Sequence, residues 1–145
     1  MAAEVILDKV YEREASPEWA NRIWLTQPVG GGPVKDYTHK EAIDRARRMA
    51  AYLKSKGFEP GSKIAIISKN CAHFFITELA IWMAGYTTVA LYPTLDSDTV
   101  SYILEHSDSK LCFVGKLDVW DSMKDGVPDD MEKIAFPLAP SGHGF

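Results

Sequence analysis

The sequence predicts an α/β domain in which a mostly parallel sheet is flanked by helices, with a small β-hairpin near the N-terminus. The main observation is the strand–helix–strand–helix–strand order from residue 63 to residue 114, which is typical of parallel strands joined by crossover helices. The strand segments at 63–68 and 110–114 are compact and mainly apolar, as expected of strands buried on both faces. Two β-favouring runs around the Gly/Pro-rich residues 27–33 predict the hairpin.

The composition fits one globular domain and argues against several other classes. Of the 145 residues, 46% are hydrophobic and 25% are charged, so the chain can form a core. The net charge of −4 argues against a sequence-independent nucleic-acid binder. No apolar run reaches the ~18 residues of a membrane span, and Glu4 stands where a signal peptide would have a basic residue. Cys71 and Cys112 form no CxxC pattern, so we expect a cytoplasmic domain without disulfides or structural zinc.

The N-terminal third is predicted to contain a leading helix and then the hairpin. Residues 1–19 include apolar side chains at helical spacing, and Ser16-Pro17 ends that pattern. These apolar side chains are Ile6, Leu7, Val10 and Tyr11. Residues 20–37 form the predicted hairpin, with Gly30–Gly32 in its turn.

Residues 38–136 are predicted to alternate helices and strands. Thr38 and Glu41 have the spacing of a capping box, in which the two side chains satisfy free amides at a helix start. An amphipathic stripe follows, and Gly57 ends the helix. The later elements are a strand at 63–68, a helix at 71–84, a strand at 87–91, a helix from Asp96, a strand at 110–114, a helix at 117–124 and a short strand at 133–136.

The helix at 71–84 is the most apolar element, and Asn70 is predicted to be its N-cap. Glu78 is its only charged residue, so the helix is expected to be buried nearly all round. Gly85 ends this helix, and Pro93 ends the strand that follows. The side chains assigned to its buried surface are Cys71, Trp82 and Met83. The final segment, residues 137–145, is expected to be a loop.

Glycine-rich stretches lack the context of a phosphate-binding loop. Such a loop opens into a helix, whose free N-terminal amides face the anion. Gly30–Gly32 is followed instead by Pro33 and a strand, so we interpret it as the hairpin turn. The Ser141–Gly144 string has neither a preceding strand nor a following Lys or Thr.

Titratable side chains likewise form no convincing catalytic or metal-binding pattern. The histidines share no ligand spacing: His39 and His106 are expected on solvated helix faces, and His73 in a first helical turn. His143 falls in the final loop. The other groups interpreted as solvated surface are Asp129, Asp130 and Glu132 in a loop, and Lys40, Arg45, Arg47 and Arg48 on one helix.

Two strings nevertheless resemble the signature motifs of a known superfamily. Residues 36–42 read Asp-Tyr-Thr-His-Lys-Glu-Ala, and residues 81–93 read Ile-Trp-Met-Ala-Gly-Tyr-Thr-Thr-Val-Ala-Leu-Tyr-Pro. They resemble the first two motifs of the adenylate-forming ligases, which include acyl-CoA synthetases, firefly luciferase and adenylation domains of peptide synthetases. The resemblance covers roughly residues 20–136. Residues 92–107 and 110–116 look most like the bacterial long-chain fatty-acyl-CoA synthetase branch.

The resemblance implies an incomplete N-terminal piece of the adenylate-forming ligase fold, belonging to a long-chain fatty acid–CoA ligase. Such an enzyme joins a fatty acid to ATP as an acyl-adenylate, releasing pyrophosphate, and coenzyme A then displaces AMP. ATP, Mg²⁺ and CoA are therefore implied for the complete enzyme, in the cytoplasm, with peripheral membrane contact as an open alternative.

The same resemblance assigns no catalytic, cofactor-binding or metal-binding residue here. The loop ending in Pro-Lys-Gly that holds the ATP phosphates, the magnesium-binding Glu, the ribose-binding Asp and the catalytic Lys match nothing in this sequence. We therefore expect the 145 residues alone to be inactive and to hold no cofactor. The roles implied for Thr38, Glu41, Asn70, Gly85 and Pro93 are structural.

Two other functions stay open at this point. The chain could be a stand-alone interaction or regulatory module that kept the ligase fold without its chemistry. It could also be a flavodoxin-like nucleotide binder, although the residues after the first parallel strand, 68–72, contain no glycine. Since an incomplete domain would expose apolar surface, a homodimer is a further expectation.

Overall fold

The structure is a computed structural model that describes residues 5–142. Residues 1–4 of the predicted leading segment, and residues 143–145 of the predicted final loop, lie outside the described residues. The helices are α1 Ile6–Ala15, α2 His39–Ser55, α3 Ala72–Met83, α4 Ser97–His106 and α5 Trp120–Met123, and α5 leads into the 3-10 turn Lys124–Gly126. The strands are β1 Ile23–Pro28, β2 Val34–Thr38, β3 Lys63–Ile67, β4 Thr87–Leu91, β5 Leu111–Val114 and β6 Lys133–Ala135.

Strands β3 to β6 form one parallel sheet in the order β4-β3-β5-β6. Its central strands alternate between two cores, because successive side chains of a strand point to opposite faces. Ile64 and Ile66 pack with residues of α2 and α3, whereas Ala65 and Ile67 pack with residues of α4 and α5. This arrangement confirms the predicted parallel sheet with flanking helices.

The N-terminal hairpin is a separate antiparallel pair, β1 with β2. Gly30, Gly31 and Gly32 have φ values of +93°, +67° and +100°, which glycine adopts without the steric penalty of a side chain. This run is therefore a hairpin turn, and no helix opens from it. The hairpin packs against the first turn of α2, where the backbone N–H of His39 donates to the carbonyl of Arg22 at 3.1 Å.

Helix α2 begins with the predicted capping box. The backbone N–H of Glu41 donates to Thr38 Oγ1 at 3.2 Å, and the N–H of Thr38 donates to Glu41 Oε2 at 3.0 Å. The two contacts satisfy two of the amides that the start of a helix leaves free. Thr38 and Glu41 thus have the structural position that the sequence predicted for them.

The start of α3 differs from the prediction. Asn70 is exposed and lies outside the helix, and Cys71 is the N-cap residue. The backbone N–H of Ala72 donates instead to Oε1 of Gln27 on β1, at 2.8 Å. Local sequence preferences favoured Asn70 as the cap. The side chain that satisfies the Ala72 amide lies 45 positions away, and it reaches the amide because the hairpin packs against the start of α3.

The expected all-round burial of α3 is also wrong at Phe75, which is 47% exposed.

The end of α3 is a Schellman motif around Gly85, whose φ is +82°. Its N–H donates to the carbonyl of Trp82 at 2.9 Å, and the N–H of Tyr86 donates to the carbonyl of Ile81 at 3.0 Å. The following strand, β4, ends at Leu91, and Pro93 lies in the turn beyond it. Both residues therefore stand at element ends, as predicted.

Replacing Gln27 by alanine is expected to lower the free energy of unfolding by about 1–3 kcal/mol, because the buried amide of Ala72 loses its partner. Asn70→Ala is the matched control, since it removes the residue with the best capping propensity but no capping contact. We expect it to cost less than about 0.5 kcal/mol. Urea unfolding followed by circular dichroism measures both, and equal losses would contradict the assignment of the cap to Gln27.

Candidate functional site

A concave surface lies between α2, α3 and β6, and we call it the α2–β6 groove. Its volume is about 370 Å³, which is in the range of small-molecule sites. It is open at the carboxyl edge of the sheet, since His73 is in the first turn of α3 and Phe136 directly follows β6. The lining residues are Arg45, Arg48, Met49, Tyr52, His73, Ile76, Thr77, Phe113, Ile134, Ala135, Phe136 and Pro137.

Apolar side chains form the deep part of the groove. Phe113 of β5 is 1% exposed and Phe136 is 5% exposed, and their ring centroids lie 5.9 Å apart. Ile76 of α3 is buried beside them. The rings are therefore anchored in the core, so the groove has a preformed apolar surface.

Cations from α2 line the same groove. The Arg45 guanidinium lies over the ring of Tyr37, 5.3 Å from its centroid, and forms no ion pair among the described residues. Arg48 forms an exposed ion pair with Asp44 at 3.1 Å. Arg47 points elsewhere and binds both carboxylate oxygens of Glu14, at 2.8 and 2.5 Å. The prediction that these arginines are solvated is confirmed, because Arg45, Arg47 and Arg48 are all exposed; Arg45 and Arg48 also line the groove.

The side chain of His73 forms an uncharged part of the groove wall. Its Nε2 lies 3.2 Å from the hydroxyl of Tyr37, and its Nδ1 is buried without a hydrogen-bond partner among residues 5–142. Burial, and secondarily the positive charge of Arg45, lowers the pKa of His73 below its ordinary value of 6.5. The imidazole is therefore neutral at pH 7.

One end of the groove is bordered by a small hydrogen-bonded cluster. Glu132 accepts from the hydroxyl of Tyr52 and pairs with Lys56 Nζ at 2.5 Å. The hydrogen bond from Lys56 and then that from Tyr52 lower the pKa of Glu132. Glu132 was expected to be solvated like Asp129 and Asp130, which are exposed. It instead joins α2 to the segment before β6, a contact between residues far apart in the sequence.

His39 is the histidine whose environment the sequence mispredicted most. It is 3% exposed, and its ring stacks on Trp24 with centroids 4.9 Å apart and contacts the edge of Trp19. The hairpin covers the first turn of α2, so a position that is polar by helical spacing becomes buried. His106 is exposed, as expected, and stacks on Tyr102.

Ser68 and Gly115 approach each other closely at the place where open parallel sheets hold nucleotides. Such sites lie where neighbouring strands send their connections in opposite directions, beyond the carboxyl ends of β3 and β5. Ser68 Oγ occupies this place, where it accepts from the N–H of Lys116 at 3.0 Å and donates to the carbonyl of Lys69 at 2.7 Å. A Cβ added at Gly115 would lie 2.2 Å from the same oxygen.

The two cysteines are buried, and Trp82 is partly buried. Cys71 is buried, as expected, and burial raises the pKa of the Cys112 thiol to about 12, so it stays protonated. Trp82 is half-buried and, with Val5–Leu7, lines a second, open pocket. The structure contains no metal-binding cluster among the residues that it describes: within residues 5–142, no group of three or more His, Cys, Asp or Glu side chains is placed to hold a metal ion. Over the same residues, no helix is long and apolar enough to cross a bilayer.

Comparison with a family of known proteins extends over most of the chain. The sequence model described as "AMP-binding enzyme" matches residues 12–138. Long chain acyl-CoA synthetase 2 of Arabidopsis thaliana is 36% identical over 105 residues, which are 70% of this chain and 16% of that protein. Probable CoA ligase CCL6 of Humulus lupulus is 34% identical over 83 residues, 57% of this chain and 13% of that protein. The chain thus spans about one sixth or less of the length of these relatives.

Solved structures share the fold at lower sequence identity. The fatty acyl-adenylate ligase from L. pneumophila, in complex with acyl adenylate and pyrophosphate, superposes with a TM-score of 0.73 at 19% identity. This match covers 92% of the present chain and 23% of the ligase. VinN in complex with 3-methylaspartate gives a TM-score of 0.75 at 16% identity, over 91% of this chain and 34% of that one.

Proposed function

The chain belongs to the AMP-binding enzyme family, and we propose that it is the N-terminal part of an ATP-dependent long-chain fatty acid–CoA ligase. The observation that carries the proposal is the 36% identity to a long chain acyl-CoA synthetase over 70% of the chain. Because the chain belongs to this family, we do not propose the flavodoxin-like alternative. The residues that follow β3, 68–72, also contain no glycine, which argues against that alternative.

In the proposed reaction, a carboxylate oxygen of the fatty acid attacks the α-phosphorus of ATP. The bond from that phosphorus to the bridging oxygen breaks, pyrophosphate leaves and an acyl-adenylate forms. The thiolate of CoA then attacks the acyl carbon, and the bond from that carbon to the AMP oxygen breaks. The products are acyl-CoA and AMP, and Mg²⁺ would neutralise phosphate charge during the first step.

The residues of this chain fit a scaffold rather than the reacting centre of that enzyme. The glycine-rich run lies in a hairpin turn, and the residues described include no metal-binding cluster. We therefore assign no Mg²⁺ or ATP site to this chain. We propose that it neither catalyses the reaction nor binds ATP tightly by itself, and that Thr38, Glu41, Gly85 and Pro93 serve the scaffold.

Two experiments test the two parts of the proposal. The coding frame on both sides of the 145 residues should be determined, and the complete protein assayed for fatty-acid-dependent exchange of pyrophosphate into ATP. Exchange that requires the fatty acid supports the ligase, whereas a stop codon directly after residue 145 favours an interaction module. Calorimetric titration of the 145-residue chain with Mg-ATP should detect no binding, and a micromolar dissociation constant would contradict its proposed inactivity.

The proposal also includes a cytoplasmic location, with fatty acid, ATP and CoA as the partners of the complete enzyme and no nucleic acid. We also propose that the 145 residues form a homodimer. The sheet has edge strands at β4 and β6, and the apolar side chains of Phe75 and Tyr92 are exposed. Sedimentation equilibrium measures the mass directly, and a monomer at tens of micromolar would remove the homodimer from the proposal.

A further inference from the structure

We propose that the N-terminal hairpin is joined to α3 by an acid-sensitive contact, in which protonation of His73 releases the hairpin from the start of the helix. This inference goes beyond the proposed ligase function and does not depend on it, since it concerns the packing of two segments of this chain. It rests on the position of one imidazole, placed among cations where the hairpin and the helix meet.

Two side chains of the hairpin reach the first turn of α3, and both are buried. Gln27 of β1 accepts from the backbone N–H of Ala72 at 2.8 Å, and the hydroxyl of Tyr37 on β2 lies 3.2 Å from Nε2 of His73. Ala72 and His73 are consecutive residues, and β1 and β2 are paired along their length. We therefore expect the two contacts to break together when the hairpin leaves α3.

The base of the hairpin is attached to α2 by backbone hydrogen bonds. The N–H groups of His39 and Lys40 donate to the carbonyls of Arg22 and Ala20, at 3.1 and 3.0 Å. These bonds do not involve His73, so a hairpin that is released from α3 stays attached to α2. The released state is therefore a local opening, in which the parallel sheet stays folded.

The hydrogen bonding of His73 favours the neutral imidazole over its cation. An imidazolium has two N–H donors. At His73, Nε2 faces the oxygen of Tyr37, and Nδ1 is buried without a hydrogen-bond partner among residues 5–142. Protonation would therefore leave a charged N–H buried without an acceptor, whichever nitrogen carries the proton of the neutral ring.

The charges that face His73 are positive as well. Arg45 and Arg48 of α2 line the same groove as the imidazole. Lys35 of β2 lies over the ring of Tyr37, 5.7 Å from its centroid. Since His73 is in the first turn of α3, the positive end of the helix dipole also opposes a second proton on the ring.

The described residues place no free carboxylate against the imidazole. Near Tyr37, Glu41 is part of the capping box and Asp44 is paired within α2. Glu132, at the border of the groove, is bound in the hydrogen-bonded cluster described above. The titratable and charged side chains that line the groove are Arg45, Arg48, Tyr52 and His73 itself.

Acidification therefore favours the released hairpin. In the docked state the pKa of His73 lies below 6.5, because of burial and secondarily because of Arg45, whereas in the released state the ring is in water and has its ordinary pKa. The stabilisation of the docked state is thus fully present above pH 6.5 and is lost as the pH falls toward the lower pKa. At pH 5.5 an ordinary imidazole is about ten to one protonated, so release becomes more favourable by up to about tenfold.

Amide hydrogen exchange of the ¹⁵N-labelled 145-residue chain tests the proposal, with Ala72 as the reporter because Gln27 of the hairpin binds its N–H. After correction for the chemical exchange rate, we expect the protection of Ala72 to fall by about threefold to tenfold between pH 7.5 and pH 5.5. A change of less than about twofold would overturn the proposal.

Urea distinguishes a local release from unfolding of the whole domain. Because local release exposes little surface, exchange at Ala72 should be independent of low urea concentrations, whereas exchange at Ile66 in the buried strand β3 should accelerate with urea. An equal urea dependence at the two amides would contradict a local release.

His73→Gln is the decisive variant, since glutamine keeps a hydrogen-bonding side chain beside Tyr37 but does not titrate. We expect its protection at Ala72 to be equal at the two pH values within about twofold, whereas His106→Gln, at an exposed position of α4, should keep the full pH dependence. A pH dependence that persists in His73→Gln would come from another group, such as the buried His39, and would overturn the proposal.

A titration of the wild-type chain gives a test that requires no variant. The ring signals of His73, followed by NMR from pH 8 to pH 5, should have a midpoint below 6.5, and the protection of Ala72 should decrease over the same pH range. A ring that titrates at 6.5 or above in the folded chain would overturn the proposal, whether or not His73→Gln folds.

Discussion

Replacing Phe113 by alanine is expected to lower the free energy of unfolding by about 4 kcal/mol. Phe113 is 1% exposed in the middle of β5, where it packs with Ile64 and Ile66 of β3 and with Phe136. The substitution deletes a buried aromatic ring and leaves a cavity, which the surrounding sheet and helices cannot easily close. Since a domain of this size has a total stability of about 5–15 kcal/mol, the loss would be a large fraction.

Guanidinium chloride unfolding followed by fluorescence and circular dichroism measures this change, with Phe75→Ala as the matched control. Phe75 is the same side chain, but it is 47% exposed on α3. We expect its replacement to cost less than about 1 kcal/mol, because little of the ring leaves water on folding. Similar losses in the two variants would mean that β5 is not at the centre of the core.

Replacing Gly126 by alanine is expected to cost about 3 kcal/mol, although only one methyl group is added. Gly126 ends the 3-10 turn that packs against α4. A Cβ at this position would lie 2.2 Å from the carbonyl oxygen of Ser97 and 2.8 Å from Cβ of Val100. The first of these atoms belongs to the backbone, so a rotamer change cannot relieve the overlap, and the turn or the helix has to move.

Asp125→Ala is the control for this variant, because it changes the preceding, exposed residue of the same turn without introducing an overlap. We expect less than about 0.5 kcal/mol for Asp125→Ala. Thermal unfolding compares the two, with the stabilities evaluated at one temperature. If Gly126→Ala were as stable as Asp125→Ala, the close packing between the turn and α4 would be wrong.

The sequence predicted the secondary structure well where local signals were strong. The capping box at Thr38 and Glu41 and the glycine end of α3 at Gly85 are set by short-range hydrogen bonds, so residue types and spacing are sufficient to predict them. The strand at 87–91 has the predicted bounds, and the apolar strands β3 and β5 are central in the sheet. Asn70 was assigned wrongly because its competitor, Gln27, lies on another element.

The candidate site was only partly accessible from the sequence. Arg45, Arg48, Met49 and Tyr52 have the spacing i, i+3, i+4 and i+7, which places them on one face of α2. That signal could have separated Arg45 and Arg48 from Arg47. It could not have indicated what lies opposite, because the other walls of the groove come from residues 73–77, 113 and 134–137.

What the sequence determined by itself is the α/β class, the order of elements and the element ends that local hydrogen bonds close, such as those at Thr38 and Gly85, because these depend on periodicity and on residues within a few positions of one another. Only the tertiary structure decided which polar groups are buried and which contact distant segments. His39 is covered by the hairpin, Glu132 is bound to α2, and Arg45 faces an apolar groove. The physical reason is that burial and charge pairing depend on contacts between distant segments, which a helical or strand period does not encode.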